Sequence, residues 1–570
     1  MKKLLKYMKG YGKQCLLGPL FKLLEASFEL LIPLVVASIV DVGIANSDQP
    51  YIVKMCLVMI ALGVIGLVCA VTAQYFAARA AVGFATRLRH SVMEHILGFS
   101  YTQIDRIGAS TMVTRMTSDI NQVQNGVNLT LRLLLRSPFV VFGAMIMAFT
   151  IDAQAALVFV GVIPVLCLVV FGIMLITMPM YKGVQGALDK VTSATRQNLT
   201  GVRVLRAFCK EESEVESFSG ATGELTEKQL KAGRISGLMN PLTFVIVNVA
   251  VVILVQVGAI KADGGILTQG LVIALYNYMS QILVELIKMA NLIISMTKAA
   301  ACAGRIADLM DIQPEDLPKM QETTEGGVEF KDVSLRYDGA AEASLENISF
   351  SAKPGQTVGV IGGTGSGKTS LVDLIPVFYP VTGGEVLLDG KSVDAAQLRQ
   401  AIGVVPQKAV LFKGTIRENL LWGNENASDE ELWAALETAQ AAQVVREKEE
   451  GLESQVAQGG TNFSGGQRQR LTIARALVRK PKILILDDSA SALDYATDAA
   501  LRQAIRGMEN PPTTFIVSQR ASSVRFADMI LVLEDGRMVD SGTHEELLKR
   551  CAVYQEIYYS QFEKEAANNG

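Results

Sequence analysis

The sequence predicts an α-helical membrane domain of six spans, followed by a soluble α/β domain that contains a helical subdomain. Three observations support this fold class. The chain has 570 residues, which exceeds the roughly 100–200 residues usual for one domain. Half of the residues are apolar, and the apolar excess lies before about residue 300. Beyond that point, a β-branched strand runs into a glycine-rich loop and the start of a helix.

Shifts in composition divide the chain into four segments. We expect the membrane domain over residues 1–310, a linker over 311–327, the α/β domain over 328–562 and a disordered tail over 563–570. The linker is rich in Pro, Glu and Gly, a composition typical of loops between periodic segments. The tail, EKEAANNG, is short and polar, which favours disorder at a chain end.

Six apolar stretches define the membrane domain. A hydrocarbon core of about 30 Å needs roughly 20 mostly apolar residues per helix. The stretches centre on residues 16–40, 52–78, 133–151, 155–178, 242–260 and 266–296. Two of the intervening loops are long and rich in Lys and Arg, whereas the short loops hold Lys261 as their only basic residue. The positive-inside rule therefore predicts that the long loops and both termini are cytoplasmic, in a bacterial-type plasma membrane.

The two long inner loops, near residues 79–132 and 179–240, are polar and amphipathic with few helix breakers. We expect them to continue the spans as helices by roughly 30 Å, with turns near residues 98–110 and 201–212. The basic start of the chain, MKKLLKYMKGYGKQC, precedes no small-residue cleavage site. We expect an uncleaved amphipathic helix on the inner membrane surface, in contact with lipid.

The overall charge and the cysteines exclude several classes of protein. A net charge of -3 argues against a nucleic-acid partner. The seven cysteines are scattered singly, so the sequence indicates neither a zinc site nor a disulfide framework.

Polar residues inside the spans have two interpretations. Glu25 and Glu29 in the first span favour cationic cargo, or they pair with basic residues of a neighbouring helix. The sixth span carries a polar stripe at helical spacing, formed by Asn277, Gln281, Glu285 and Lys288. This stripe either lines a water-filled cavity or forms interhelical hydrogen bonds, with a Glu285–Lys288 pair on one helix.

The stretch TVGVIGGTGSGKTSLVDLI matches the phosphate-binding pattern GxxxxGK[ST] in the context of strand, loop and helix. Backbone N–H groups of such a loop wrap phosphates, here with the residues Gly362, Gly363, Thr364, Gly365, Ser366 and Gly367. Lys368 would meet the β- and γ-phosphate oxygens, and Thr369 would offer its hydroxyl to Mg²⁺. A later strand, ILILD, delivers Asp487 as a second Mg²⁺ partner.

The motif FSGGQ, followed by a basic amphipathic helix, resembles the signature of ABC transporter ATPases; its residues are Ser464, Gly465, Gly466 and Gln467. The membrane half is similar to the six-helix domain of ABC exporters. This resemblance implies that Tyr337 stacks on adenine, that Gln407 lies near Mg²⁺ and the attacking water, and that Asp494 is the D-loop aspartate. It further implies a half-transporter, because such ATPases sandwich ATP between one subunit's phosphate loop and the other subunit's signature.

Two positions depart from the family pattern. Where the family carries a glutamate that polarises water and a histidine that contacts the γ-phosphate, this chain has Asp488 and Gln519. Aspartate is one methylene shorter, and glutamine carries neither a proton nor a positive charge near pH 7. The three histidines, at positions 90, 95 and 544, fall elsewhere in the sequence. We therefore expect nucleotide binding to be retained and hydrolysis at this site to be impaired.

The intact signature beside an altered catalytic pair resembles the degenerate-site subunit of heterodimeric bacterial ABC exporters of multidrug type. The expected partner is a second, different half-transporter, and the expected cargo is a small hydrophobic or amphipathic solute. Two alternatives remain. One is a homodimer with two slow sites, and the other is an ATP-gated membrane sensor or channel without pumping.

Overall fold

The computed structural model describes residues 2–314, 324–392 and 401–562. Within these ranges, the chain forms two compact units. The first unit comprises residues 1–95 and 110–312, and the second comprises 96–109 together with the chain from 313 onward. Most of the predicted linker and all of the predicted tail lie outside the described residues.

The first unit is helical, and among the described residues six of its helices are long and apolar enough to cross a membrane. In chain order the helices of this part of the sequence are α1 (Gly12–Ile44), α2 (Gln49–Leu97), α3 (Tyr101–Ile107), α4 (Ala109–Ile151), α5 (Ala153–Thr200), α6 (Val202–Ala207), α7 (Glu211–Asp263) and α8 (Gln269–Asp311). The six predicted spans are therefore confirmed. Helices α2, α4, α5 and α7 are longer than their apolar stretches because the two long polar loops continue them as helix. The 49 residues of α2 extend about 74 Å.

The turns predicted in the two long loops hold the short helices α3 and α6. Helix α3 begins at a capping box, in which the Ser100 hydroxyl accepts from the backbone N–H of Gln103 and the Gln103 side chain accepts from the N–H of Ser100. The start of the chain forms a 3₁₀ helix at Lys2–Met8 that is separate from α1. The break falls at Gly10, whose φ of +99° lies in the left-handed region.

The Asp152 carboxylate, in the loop between α4 and α5, has two partners. Asp152 accepts from the backbone N–H of Ala155 at 2.7 Å and so caps α5. Its other oxygen lies 2.5 Å from the ammonium of Lys261, the basic residue of the short loops. This pair joins the loop before α5 to the end of α7.

A buried ion network joins α1, α4 and α8. The guanidinium of Arg136 donates to Glu285 at 2.5 Å and to Glu29 at 2.6 Å. Glu285 is 3% exposed and also accepts from Ser137 at 2.9 Å and from Lys288 at 2.8 Å. Of the two interpretations of these carboxylates, the structure therefore supports pairing with a neighbouring helix for Glu29 and Glu285. Glu25 pairs instead with Lys22 on its own helix, at 2.5 Å.

The rest of the polar stripe has a different environment. The side-chain oxygen of Gln281 is buried without a hydrogen-bond partner among the described residues. Its neighbour Tyr278 is fully buried and donates to the carbonyl of Leu30 at 2.6 Å. The cavity interpretation therefore stays open for Asn277 and Gln281 only.

The second unit is built on three sheets. Its strands are β1 (Val328–Leu335), β2 (Leu345–Ala352), β3 (Thr357–Gly362), β4 (Gly383–Leu388), β5 (Lys391–Ser392), β6 (Ile402–Val405), β7 (Gly414–Thr415), β8 (Gln455–Val456), β9 (Ile483–Asp487), β10 (Thr513–Val517), β11 (Met529–Glu534) and β12 (Arg537–Gly542). The main sheet has the order β12-β11-β3-β10-β9-β6, and a four-stranded sheet has the order β2-β1-β4-β5. The third sheet pairs β7 with β8.

The helices of the second unit are α9 (Lys368–Leu374), α10 (Ile416–Leu421), α11 (Asp429–Thr438), α12 (Ala442–Arg446), α13 (Gly465–Val478), α14 (Tyr495–Arg506), α15 (Ala521–Val524), α16 (His544–Arg550) and α17 (Ala552–Gln561). Helices α10 to α13 lie in sequence between β6 and β9 and form the predicted helical subdomain. Strands β3, β9 and β10 are buried on both faces and run parallel. Because parallel strands end at the same edge, the loops after these three strands meet there.

Candidate nucleotide-binding site

A cavity of about 840 Å³ lies at the edge where β3, β9 and β10 end, and its size suits a nucleotide. Its lining consists of residues 340–344, Thr364, Gly365, Gly367, Lys368, Thr369, Ser370, Gln407, Asp487, Asp488, Val517, Ser518, Gln519, Asp535 and Gly536. Six segments far apart in sequence therefore contribute to one site.

The phosphate loop has the backbone that its glycines require. Gly365 and Gly367 have φ of +85° and +91°, values that side-chain-bearing residues rarely adopt. A Cβ at Gly367 would lie 2.8 Å from the carbonyl oxygen of Ser344, so no larger residue fits there. The space above Gly363 and Gly365 is open, since no atom lies within 4 Å of a Cβ position. The loop thus leaves an open face toward the cavity, as phosphate binding by backbone N–H groups requires.

Lys368 follows this loop at the start of α9. Its ammonium donates to the carbonyls of Gly362 at 3.0 Å and Gly363 at 2.5 Å, and its side chain is buried. Burial lowers the pKa of Lys368, and the charges of Asp488 and Asp487 oppose that effect. A phosphate oxygen would supply the anionic partner that a buried ammonium needs.

Two oxygen ligands of the kind that Mg²⁺ prefers lie together at the floor of the cavity. The Thr369 hydroxyl is 3.1 and 3.2 Å from the two carboxylate oxygens of Asp487. Burial raises the pKa of Asp487, an effect that a bound cation would reverse. Among the described residues, no group of three or more His, Cys, Asp or Glu side chains could hold a metal ion. This donor set fits Mg²⁺, which binds proteins through one or two such groups and takes its other ligands from phosphates and water.

The two altered positions both line the cavity. Asp488 adopts a left-handed backbone with φ of 44°, which aspartate tolerates better than most residues. Its carboxylate accepts a hydrogen bond from the Gln407 amide at 3.3 Å. Gln519 follows β10, the strand between β3 and β9, and its side chain is exposed. None of the three histidines lines this cavity; His544, for example, is hydrogen-bonded to Tyr554.

The remaining predicted residues lie outside this lining. Tyr337 is half-buried, and its hydroxyl is 3.0 Å from the hydroxyl of Ser370, which does line the cavity. Asp494 caps α14 by accepting from the backbone N–H of Thr497 at 2.9 Å. The signature residues begin α13, where Ser464 and Gln467 form a capping box. Gly362, Gly363 and Ser366 belong to the phosphate loop but do not line the cavity, and the Ser366 hydroxyl donates to the carbonyl of Gly363 at 2.9 Å. The structure therefore brings the phosphate loop, Gln407, Asp487, Asp488 and Gln519 together, and it places the signature and Asp494 elsewhere.

Several lining residues had no signal in the sequence. Residues 340–344 belong to the loop before β2, and Asp535 and Gly536 form the turn between β11 and β12. The Asp-Gly pair predicts a hairpin turn, but no local pattern shows that this turn reaches the phosphate loop. The turn lies beside the phosphate loop, since a Cβ at Gly367 would be 3.7 Å from the Cα of Gly536. It is joined to β2, where the N–H of Glu346 donates to the carbonyl of Gly536 at 2.8 Å.

One buried carboxyl near the site gives a testable pH dependence. Burial raises the pKa of Asp373 in α9 from 3.8 to about 7, and the charge of Asp487 adds to the effect. The folded state therefore retains a proton that the unfolded state has lost. Burial of Asp373 costs no stability below about pH 4, and this cost grows as the pH rises to about 7. Asp373→Asn should raise the free energy of unfolding by about 2 to 3 kcal/mol more at pH 8 than at pH 5.

Denaturant unfolding without nucleotide or Mg²⁺ would measure this difference. Both tryptophans, Trp422 and Trp433, lie in the second unit, so their fluorescence reports on that unit alone. Asp338→Asn, at an exposed position of the same unit, is the matched control. A stabilisation by Asp373→Asn that is equal at pH 5 and pH 8 would contradict the assignment of the raised pKa.

Comparisons with known proteins agree with this architecture. Residues 15–286 match the family described as the ABC transporter transmembrane region, and residues 345–491 match the family described as ABC transporter. The chain is 34% identical over 574 residues to the uncharacterized ABC transporter ATP-binding protein YfiB of Bacillus subtilis, covering 100% of each chain. It is 28% identical over 530 residues to an ATP-dependent lipid A-core flippase of Vibrio vulnificus, covering 92% of this chain and 91% of the flippase.

The fold agrees with a solved structure as well. A bacterial Atm1-family ABC exporter with ATP bound superposes with a TM-score of 0.81 at 22% identity, covering 97% of this chain and 99% of that one. The membrane helices, the α/β unit with its three sheets and the matched families all point to the same conclusion. The chain therefore belongs to the ABC transporter family, as an ATP-hydrolysing transporter chain that carries its transmembrane region and its ATPase domain in one polypeptide.

Proposed function

We propose that this chain is one subunit of a heterodimeric ABC exporter, in which it holds Mg²⁺ and ATP at a weakly hydrolysing site. The observation that carries the proposal is the pairing of a complete phosphate loop with Asp488 and Gln519 in the same cavity. The groups that would bind nucleotide and metal are all present. The two residues that differ from the family are Asp488, at the position that activates water, and Gln519, at the position that contacts the γ-phosphate.

The geometry explains why hydrolysis would be slow. Asp488 and Gln407 are hydrogen-bonded to each other, so the carboxylate is positioned at the site. It nevertheless ends one methylene short of a glutamate, and a misplacement of about 1 Å can cost 10²-fold in rate. The Gln519 amide can donate a hydrogen bond to phosphate but carries no charge, so it would stabilise the developing negative charge less than a protonated histidine would.

The signature supports a second role for the chain. The N-terminus of α13, with Ser464 and Gly465 exposed, does not line the cavity of its own chain. A helix N-terminus with free N–H groups attracts anions. In a sandwich of two ATPase domains it would contact the partner's nucleotide, and Asp494 would lie at the same boundary. This chain would thus aid hydrolysis at the partner's site while its own site stays occupied.

The cargo is proposed at the level of chemical class. The buried, unpartnered amide oxygen of Gln281 beside apolar span residues suits a hydrophobic or amphipathic solute. The name of the Vibrio vulnificus relative, a lipid A-core flippase, is compatible with such cargo. We place the ATPase domain and both termini in the cytoplasm and the spans in the inner membrane, because the long inner loops are basic. In this proposal, ATP binding closes the two ATPase domains on each other, and this closure opens the membrane domain outward to release the cargo.

Native mass spectrometry tests this proposal first. The tagged chain is extracted from native membranes in mild detergent, and the intact complex is weighed. We expect a 1:1 complex of this 61.5 kDa chain with a different half-transporter, whose sequence holds the glutamate and the histidine missing here. A dimer of twice this mass would refute the heterodimer. It would mean that Asp488 and Gln519 serve both sites, which favours a slow homodimeric exporter or a nucleotide sensor.

A further inference from the structure

The loop that carries Gln519 is held from behind by the last helix of the described chain. Between the end of β10 at Val517 and the start of α15 at Ala521, only three residues connect strand to helix. The Gln561 side chain spans this connection. Its oxygen accepts from the backbone N–H of Ala521 at 2.9 Å, and its NH₂ group donates to the carbonyl of Gln519 at 2.7 Å.

These two contacts use both halves of the Gln561 amide. The N–H of Ala521 is a first-turn donor with no partner inside its own helix, and the carbonyl of Gln519 belongs to neither strand nor helix. Only one orientation of the amide satisfies both groups, because one needs an acceptor and the other a donor. Gln561 therefore fixes the two peptide groups on either side of Arg520.

Helix α17, which carries Gln561, is itself firmly attached. Tyr554 is fully buried, and its hydroxyl is 2.8 Å from the Nδ1 of His544. At the other end of the helix, Tyr558 and Phe562 pack against the hydrophobic core of the second unit. The packing of α17 therefore holds the Gln561 side chain in place beside the loop of Gln519.

Arg520 extends this contact toward the turn after β9. Its guanidinium donates to the carbonyl of Ser491 at 3.3 Å and approaches that of Leu493 at 3.5 Å. Leu493 directly precedes Asp494, the residue that caps α14. The loop of Gln519, which faces this chain's own nucleotide, is therefore linked to the turn that would face the partner's nucleotide.

We propose that Gln561 is a positioning residue of the nucleotide site: it sets the place of Gln519 and, through Arg520, joins the chain's own site to the Asp494 turn. This inference rests on the proposed function for the role of Gln519. It adds that the C-terminal helix helps to retain nucleotide at the chain's own site. Loss of the two Gln561 hydrogen bonds, here called the Gln561 clamp, would leave the phosphate loop intact. It would affect only the contact between Gln519 and the γ-phosphate.

The test measures how fast 8-azido-ATP is released from this chain and compares the wild type with Gln561 variants. The complex is purified from native membranes and kept in Mg²⁺. The complex is loaded, chased with ATP, illuminated at intervals, and the label on this chain's own peptides is quantified. We expect label to be lost roughly fivefold faster from Gln561→Ala, because two partly exposed hydrogen bonds are removed. Gln561→Glu, which keeps the acceptor but sets an oxygen against the Gln519 carbonyl, should release at least as fast.

Gln555→Ala is the matched control, since Gln555 lies on the same helix and donates only to the carbonyl of Leu548, at 2.8 Å. It should release label at the wild-type rate. In a Gln519→Ala background, Gln561→Ala should add nothing, which a general weakening of α17 would not produce. Equal release from wild type and Gln561→Ala, or the same acceleration in Gln555→Ala, would overturn the inference. If the wild-type chain itself retains label no longer than its partner, the proposed function fails instead.

Discussion

The double substitution Asp488→Glu with Gln519→His is expected to raise ATP turnover at this chain's own site by about 10²-fold. Glutamate extends the carboxylate by one methylene toward the attacking water, and histidine supplies a group that carries charge near the γ-phosphate. Asp488→Glu alone should give only a modest increase while Gln519 remains. The left-handed backbone at this position, with φ of 44°, also favours aspartate slightly over glutamate.

Phosphate release by the complex measures this effect, with the partner's site inactivated at its own phosphate-loop lysine so that only one site turns over. Lys368→Ala in the restored chain is the control and should return turnover to background. Full restoration by Asp488→Glu alone would refute the account, because it would show that Gln519 does not limit hydrolysis. No gain from the double variant would contradict the proposal that Asp488 and Gln519 limit hydrolysis at this site.

Arg136→Met is expected to destabilise the membrane unit by about 3 kcal/mol or more, the range found when one partner of a buried ion pair is removed. Glu285 is 3% exposed and would keep only Ser137 and Lys288 as partners. Glu29 is 38% exposed and would lose its guanidinium partner. The cost arises because the buried Glu285 carboxylate loses its buried cation and keeps only Lys288, which is 45% exposed, more than from the strength of the pair itself.

Unfolding in mixed detergent micelles with increasing SDS would measure this loss. Lys190→Met is the matched control, because the Lys190–Glu224 pair is largely exposed and contributes about 1 kcal/mol or less. The double variant Arg136→Met with Glu285→Gln should recover part of the stability, since it removes one unpaired charge. If Arg136→Met costs no more than Lys190→Met, the network is not a structural link between the three spans.

The sequence by itself determined the local features of this protein. Helix length follows from the apolar run and the absence of breakers, so the six spans and two inner turns were predicted near their observed places. The phosphate loop follows from glycine spacing because backbone conformation there depends on the residues themselves. The departures at Asp488 and Gln519 are chemical identities, which need no structure to be noticed.

Only the tertiary structure decided which distant groups meet. Arg136 lies 107 residues from Glu29 and 149 from Glu285, and neither pairing has a local signature. The half-buried Tyr337 ring, outside the cavity lining, and the clamp of Gln561 on the loop 42 residues earlier are likewise products of packing. The physical reason is common to all of them. A charge or an amide takes the partner that chain folding brings within hydrogen-bond distance, and that partner depends on the arrangement of whole helices and strands rather than on neighbouring residues.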